Sequence, residues 1–155
     1  MDSKRVSESS IVMSQLMTQQ EANLAGNVHG GVIMRLMDTA AGVVATRHTR
    51  MNVVTASIDR LNFHAPIFIG DLVTLKASIN LVGRTSMEVG VRVEAENLIY
   101  VESRYAASAY LTYVALDKDG KPTVVPGIVP ETDDELRRNK EAKVRREARI
   151  KQDST

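Results

Sequence analysis

The sequence predicts an α+β protein in two layers, a curved antiparallel sheet wrapped around one long helix. Three observations point there. First, the segment from Gly30 to about His48 is apolar on nearly every face over the length of five helical turns, the pattern of a buried helix. Second, beyond it the apolar residues recur at every second position in several long stretches, so strands follow the helix with no second apolar helix among them. Third, 155 residues make one domain, and a chain of that length buries roughly 70% of the surface it exposes when unfolded.

The elements follow in order. The polar residues 1–9 are expected to be a flexible N-terminus, ahead of a single domain over 10–130 and a charged helix and tail over 131–155. Residues 11–17, IVMSQLM, form an apolar run of strand length, and Thr18 to Asn27 a polar loop containing glycine. After the long helix, residues 53–63 read as a strand. In residues 71–82, Val73, Leu75, Ala77, Ile79 and Leu81 alternate with Thr74, Lys76, Ser78 and Asn80. The cleanest alternation sets Met87, Val89, Val91, Val93 and Ala95 against Ser86, Glu88, Gly90, Arg92 and Glu94, one dry face and one wet. The short link Val82-Gly83-Arg84 makes these two strands a hairpin. Residues 104–116 are almost uncharged and are expected in the sheet interior, and Asp119-Gly120 marks a turn. A proline-marked connector runs from Val125 to Pro130. Thr132 and Glu135 then form a capping box that opens a charged, solvated C-terminal helix. Five strands around one helix leave an edge strand uncovered, which dimerisation would cover.

Composition excludes several chemistries. Without cysteine there is no disulfide, thiolate metal site or cysteine nucleophile. Twenty basic and nineteen acidic residues nearly cancel, which argues against a nucleic-acid partner. No apolar stretch approaches the roughly 20 residues that span a bilayer, and Met1 to Ser10 lack the apolar core of a signal peptide, so the expected location is cytoplasmic with no membrane partner. The motifs G-x-S-x-G and G-x-G-x-x-G and the glycine–lysine phosphate loop are absent. His29, His48 and His64 are too scattered to suggest a metal site, and His48 and His64 read as packing or surface residues.

The informative stretch is Asn23-Leu24-Ala25-Gly26-Asn27-Val28-His29-Gly30-Gly31. Glycine inside a helix costs about 1 kcal/mol against alanine, so two at a helix start serve something other than helix stability. One reading is free N–H donors at the positive helix end, aimed at a carbonyl oxygen that becomes an oxyanion; the other is a plain turn. Asp38 is the second anomaly, a carboxylate in the middle of the most apolar segment. It pairs with Arg35 on the same helix, or it acts as general base or nucleophile. Eight residues of helix hold Gly30 and Asp38 about 12 Å apart, so both can serve one carbonyl only if they come from two helices of two protomers.

The segments NLAGNVHGGVIMRLMD, VVTASIDRLNFHAPI, GRTSMEV and RYAASAYLTYVALDKDGKP occur in this order, and together they resemble the acyl-CoA thioesterases of the hotdog fold, in the cytosolic acyl-CoA hydrolase branch. The resemblance runs from about residue 10 to 135. It implies a central helix inside a curved antiparallel sheet, assembly into dimers and trimers of dimers, and hydrolysis of fatty acyl-CoA to free acid and CoA with no metal or organic cofactor. It places Asn23 and Asp38 on the catalytic positions and Gly30 on the glycine whose N–H polarises the thioester carbonyl, flanked by His29 and Gly31. The expected roles are Asn23 positioning the carbonyl or water, and Asp38 of the second protomer activating water or attacking directly. Basic residues near the sheet edge would hold the CoA phosphates, with Arg84 in the Gly83-Arg84-Thr85-Ser86 segment leading and Arg104 following; an ordinary hairpin arginine is the other reading of Arg84. Small residues Ala40, Ala41 and Gly42 could open an acyl groove. Two other functions compete: a hotdog dehydratase or hydratase, built on a histidine with an acidic partner such as His64 could supply, and a non-catalytic acyl-CoA-binding protein.

Overall fold

Alternating apolar residues give each long strand one face that must leave water, and those faces close on one helix. The computed structural model describes residues 1–153. In chain order the elements are β1 (Lys4–Arg5), β2 (Ile11–Leu16), α1 (Gly30–Thr49), β3 (Asn52–Phe63), β4 (Asp71–Val82), β5 (Ser86–Asn97), β6 (Glu102–Leu116), β7 (Ile128–Val129) and α2 (Asp133–Asp153). Five strands form an antiparallel sheet in the order β2-β4-β5-β6-β3, with β6 inside it as its uncharged sequence requires. The register stacks the dry faces: Leu75 lies opposite Val93 and Val93 opposite Ala107, while Ile79 lies opposite Val89 and Val89 opposite Leu111. All are buried. α1 lays Ile33, Leu36, Met37, Ala40, Ala41, Val44 and Ala45 on this surface. Its alanines let the helix approach closely; Ala40 and Ala41 are fully buried in this contact, and only Gly42 borders an open hollow.

The helix is not buried all round within one protomer. Met34 and Val43 on α1 are 40% exposed, and Val54, Ile58 and Phe63 of the edge strand β3 are uncovered to a similar degree. The sequence pattern of a fully buried helix therefore describes more contact than one chain supplies.

β3 departs from regular pairing in a way that shapes the site. Its register against β6 slips between Thr55 and Ser57 and again between Asp59 and Asn62, where Arg60 adopts φ 51°. A bulge re-aims the side chains that follow it. Thr55, Ile58 and Phe63 lie opposite Tyr113, Leu111 and Ala107, residues of the buried face of β6, although simple alternation would not put all three on one side.

Two expectations are corrected. Residues 4–8, within the expected flexible terminus, form β1, paired parallel with β7, and a 3-10 turn that buries Val6. Lys4 Nζ also donates to the His48 carbonyl at 2.7 Å. The C-terminal helix, expected to be solvated, is tied to the outer sheet face. Arg145 is buried, donates from Nε and Nη2 to the two oxygens of the Glu88 carboxylate at 2.9 Å each, and covers the Tyr110 ring at 3.6 Å. Arg149 reaches Asp59 and Thr112, and Asn139 donates to the Asn80 carbonyl. The helix charges answer polar groups on a sheet face that the chain order alone does not reveal as a partner. The expected cap is present, with the Glu135 N–H donating to Thr132 Oγ1 at 3.1 Å.

His48 packs in the core, as expected, and it is a pH-sensitive point of the fold. Its Nε2 donates to the Pro126 carbonyl at 2.7 Å, while Nδ1 is buried with no partner. A proton on Nδ1 would have no acceptor, and burial pushes the group below its ordinary value of 6.5. The unfolded chain binds that proton more readily, so stability is complete above about pH 6.5 and falls as pH drops below it. The urea midpoint is expected to decrease from pH 7 to pH 5, and His48→Gln to show a shallower decrease. Equal slopes for the two proteins would contradict this role.

Candidate active site

Two hollows on the protomer hold the polar residues singled out by the sequence. The first is built by the loop before α1. Glu21 accepts from the Thr18 N–H and its own carbonyl from the His29 N–H, and bridges Ala22–Val28 and Asn27–Phe68 close the loop on itself. Gly26, with φ +85°, supplies the left-handed residue this turn requires. Asn23 Oδ1 accepts from the Ala25 and Asn27 N–H groups at 2.9 and 3.1 Å. Its carboxamide is thereby oriented, and its Nδ2 donors are left for a ligand.

The helix start is capped selectively. His29 Nδ1 accepts from the Gly31 N–H at 3.1 Å, and the Val32 N–H bonds the His29 carbonyl. Among the described residues no acceptor meets the Gly30 N–H, and no acidic residue sits in the first turn to offset the positive end of α1. A Cβ at Gly31 would come within 3.3 Å of His29 Nδ1, so the cap itself needs glycine there; at Gly30 a Cβ would meet only the Phe63 ring, at 3.6 Å. Packing does not demand Gly30. The hollow measures about 380 Å³ and is lined by Asn23, Gly30, Ile33, Phe63, His64 and Pro66.

The second hollow, about 490 Å³, contains Asp38, two helical turns further along α1, with Gly42, Arg47, Thr55 and Tyr113. Asp38 does not pair with Arg35. Its Oδ1 accepts from Thr55 Oγ1 at 2.8 Å and from the Tyr113 hydroxyl at 2.6 Å. Burial, then the hydrogen bond and charge of Asp38, push the Tyr113 phenol well above its ordinary value, so it stays protonated. Thr55 and Tyr113 were not singled out by sequence reasoning. They face each other in the regular run that pairs Asn52–Thr55 with Tyr113–Leu116, a juxtaposition across two strands that the pattern within each strand does not reveal.

The remaining candidates lie apart from these. Gly83, Arg84, Thr85 and Ser86 form the β4–β5 turn, closed by the Gly83 N–H on the Ser86 carbonyl and joined to the end of β6 through the Thr85 carbonyl. That end of the sheet faces the C-terminus of α1, away from Gly30 in the same chain. Arg84 is exposed, and among the described residues it makes no ion pair. Arg104 is held instead, by the buried Asp71 carboxylate and the Pro66 carbonyl, latching the 64–70 loop to the sheet. His64 hydrogen-bonds Ser108 at 3.0 Å and lies against Tyr105, with no carboxylate beside it. Among the described residues no group of three or more His, Cys, Asp or Glu could hold a metal ion, and no helix is long and apolar enough to cross a membrane.

Known proteins resemble this chain in sequence and fold. Residues 25–101 match the family model described as the thioesterase superfamily. The chain is 45% identical over 141 residues to a cytosolic acyl coenzyme A thioester hydrolase of Rattus norvegicus, covering 90% of this chain but only 36% of that protein's length. It superimposes on a hexameric acyl-CoA thioesterase with a TM-score of 0.95 at 36% identity, over 98% of this chain and 97% of the other. An acyl-CoA hydrolase of Staphylococcus aureus, solved in complex with butyryl coenzyme A, coenzyme A and coenzyme A disulfide, aligns with a TM-score of 0.88 at 35% identity, over 97% and 93% of the two chains. With a single helix inside a five-stranded antiparallel sheet and relatives that match it nearly end to end, the chain belongs to the thioesterase superfamily and has the hotdog fold.

Proposed function

We propose that this chain hydrolyses acyl-CoA thioesters at a site shared by two protomers. The observation that carries the reading is the division of the polar groups: Asn23 and the free Gly30 N–H occupy one hollow and Asp38 another, with the uncovered apolar face of α1 and β3 on the same protomer. A second copy docked along the β3 edge would cover that face and bring its Asp38 to the first copy's Gly30. The relatives support the substrate class. The S. aureus protein has been solved with an asparagine, an aspartate and a threonine each replaced by alanine, and the intervals between those positions equal those separating Asn23, Asp38 and Thr55 here. The hexameric relative supports assembly of three such dimers, and the cytosolic designation of the mammalian relative supports a cytoplasmic location.

In this reaction the thioester carbonyl accepts from the Gly30 N–H, where the dipole of α1 stabilises the negative charge of the tetrahedral intermediate. Asn23 donates from Nδ2 and positions the carbonyl or the water. Asp38 of the second protomer takes the proton as water attacks. The C–S bond then breaks, and the proton passes to the departing thiolate of CoA. In the covalent variant Asp38 attacks the carbonyl itself and water hydrolyses the resulting anhydride; only this route carries solvent ¹⁸O into Asp38. Neither route calls on a metal or organic cofactor. The dehydratase reading loses its main support because His64 is bonded to Ser108 and not to a carboxylate.

Free thiol is expected to appear when the protein meets acyl-CoA and a thiol reagent, and a panel of chain lengths identifies the preferred acyl group. Asp38→Asn, which keeps the shape but cannot take a proton, is expected to fold and to lose roughly 10²–10⁴-fold in kcat. Turnover near the wild-type rate would remove Asp38 from the chemistry. Arg84 is assigned to a CoA phosphate. Arg84→Ala is expected to raise KM for acyl-CoA with little change in kcat and to leave hydrolysis of an acyl-pantetheine unaffected, because a remote phosphate contact binds ground and transition states alike. An equal loss on both substrates would take Arg84 out of the phosphate site.

A further inference from the structure

Both hydrogen bonds received by the Asp38 carboxylate end on the same oxygen. Thr55 from β3 and Tyr113 from β6 each donate to Oδ1, and among the described residues Oδ2 receives none. The two donors come from neighbouring strands at one register position, Thr55 opposite Tyr113. Resting on the hydrolase reading above, we infer that Tyr113 is a positioning residue which, together with Thr55, clamps Oδ1 so that Oδ2 is the oxygen offered to water or thioester.

Three features make the tyrosine suited to this. Its ring is 2% exposed and fixed among core side chains, so the hydroxyl has little freedom to wander. The hydroxyl also lies 2.9 Å from the main-chain carbonyl of Asp38, so one group reads both the backbone and the side chain of the residue it holds. It has a single proton, and the shorter contact, to the carboxylate, takes it. The phenol is held in its protonated form, so the donor persists across the working pH range. An unclamped carboxylate on a helix surface would rotate between equivalent oxygens, whereas this one presents a fixed oxygen from a fixed direction.

Tyr113→Phe keeps the ring and removes only the hydroxyl. It is expected to unfold in urea close to the wild type, to keep KM for acyl-CoA within about twofold, and to lose about tenfold in kcat. Thr55→Val is expected to give a similar loss, and Thr55→Ser, which restores the donor, to recover most of it. A purely structural tyrosine would lower stability and leave kcat of the folded protein in place. Wild-type kcat in Tyr113→Phe, while Asp38→Asn is inactive, would overturn the clamp and leave the hydrolase reading standing. A wild-type protein that releases no thiol from acyl-CoA would overturn both.

Discussion

The pitch of one helix constrains everything else in this protein. An α-helix rises 1.5 Å per residue, so Gly30 at its start and Asp38 two turns later are about 12 Å apart and cannot meet at one carbonyl. The five-stranded sheet fixes the helix on one side through Ile33, Met37, Ala41 and Val44, which prevents it from bending or unwinding to bring the two together. The other side carries Met34 and Val43 into solvent beside the edge strand β3. On the proposed reading, a site divided along a rigid helix and an uncovered apolar edge answer each other: pairing two copies would complete the first and cover the second.

Electrostatics then separates the two halves by role. The N-terminus of α1 is left positive because its first turn holds no acid, and the capping network satisfies Gly31 while leaving the Gly30 N–H open. The other half is anionic and held by neutral hydroxyl donors, with no salt bridge to Asp38 among the described residues. The hydroxyls orient the carboxylate while leaving one oxygen uncommitted among the described residues. The ion pairs with a buried carboxylate, Glu88 with Arg145 and Asp71 with Arg104, serve attachment of α2 and of the 64–70 loop, and neither includes Asp38.

Much of the fold was legible in the sequence because period two and period 3.6 are strong signals over long segments. The helix and the four long strands begin and end within three residues of where apolar spacing puts them. The two-residue strands β1 and β7 carry no periodicity over so short a span and were invisible. The attachment of α2 was hidden for a different reason: Arg145 and Arg149 look like solvent-facing charges until the sheet brings Glu88 and Asp59 beneath them. Within the candidate site, Gly30 and Asp38 stood out because each violates local preference, a glycine in a helix and an acid in an apolar run. Thr55 and Tyr113 violate nothing in their strands. The pairing of β3 with β6 sets them opposite each other beside Asp38, and a pairing between distant strands leaves no mark in the alternation within either one.

Subunit complementation tests the shared site most directly. Asn23→Ala and Asp38→Ala are each expected to be nearly inactive as homodimers. Refolded together or co-expressed, about half of randomly paired dimers are mixed, and each mixed dimer has one site with both lesions and one with intact Asn23 facing intact Asp38. Activity on acyl-CoA is then expected to return to about a quarter of the wild-type level, the product of that pairing and one working site of two. A mixture no more active than its parents, with subunit exchange verified by mass spectrometry, would contradict a site built from two chains.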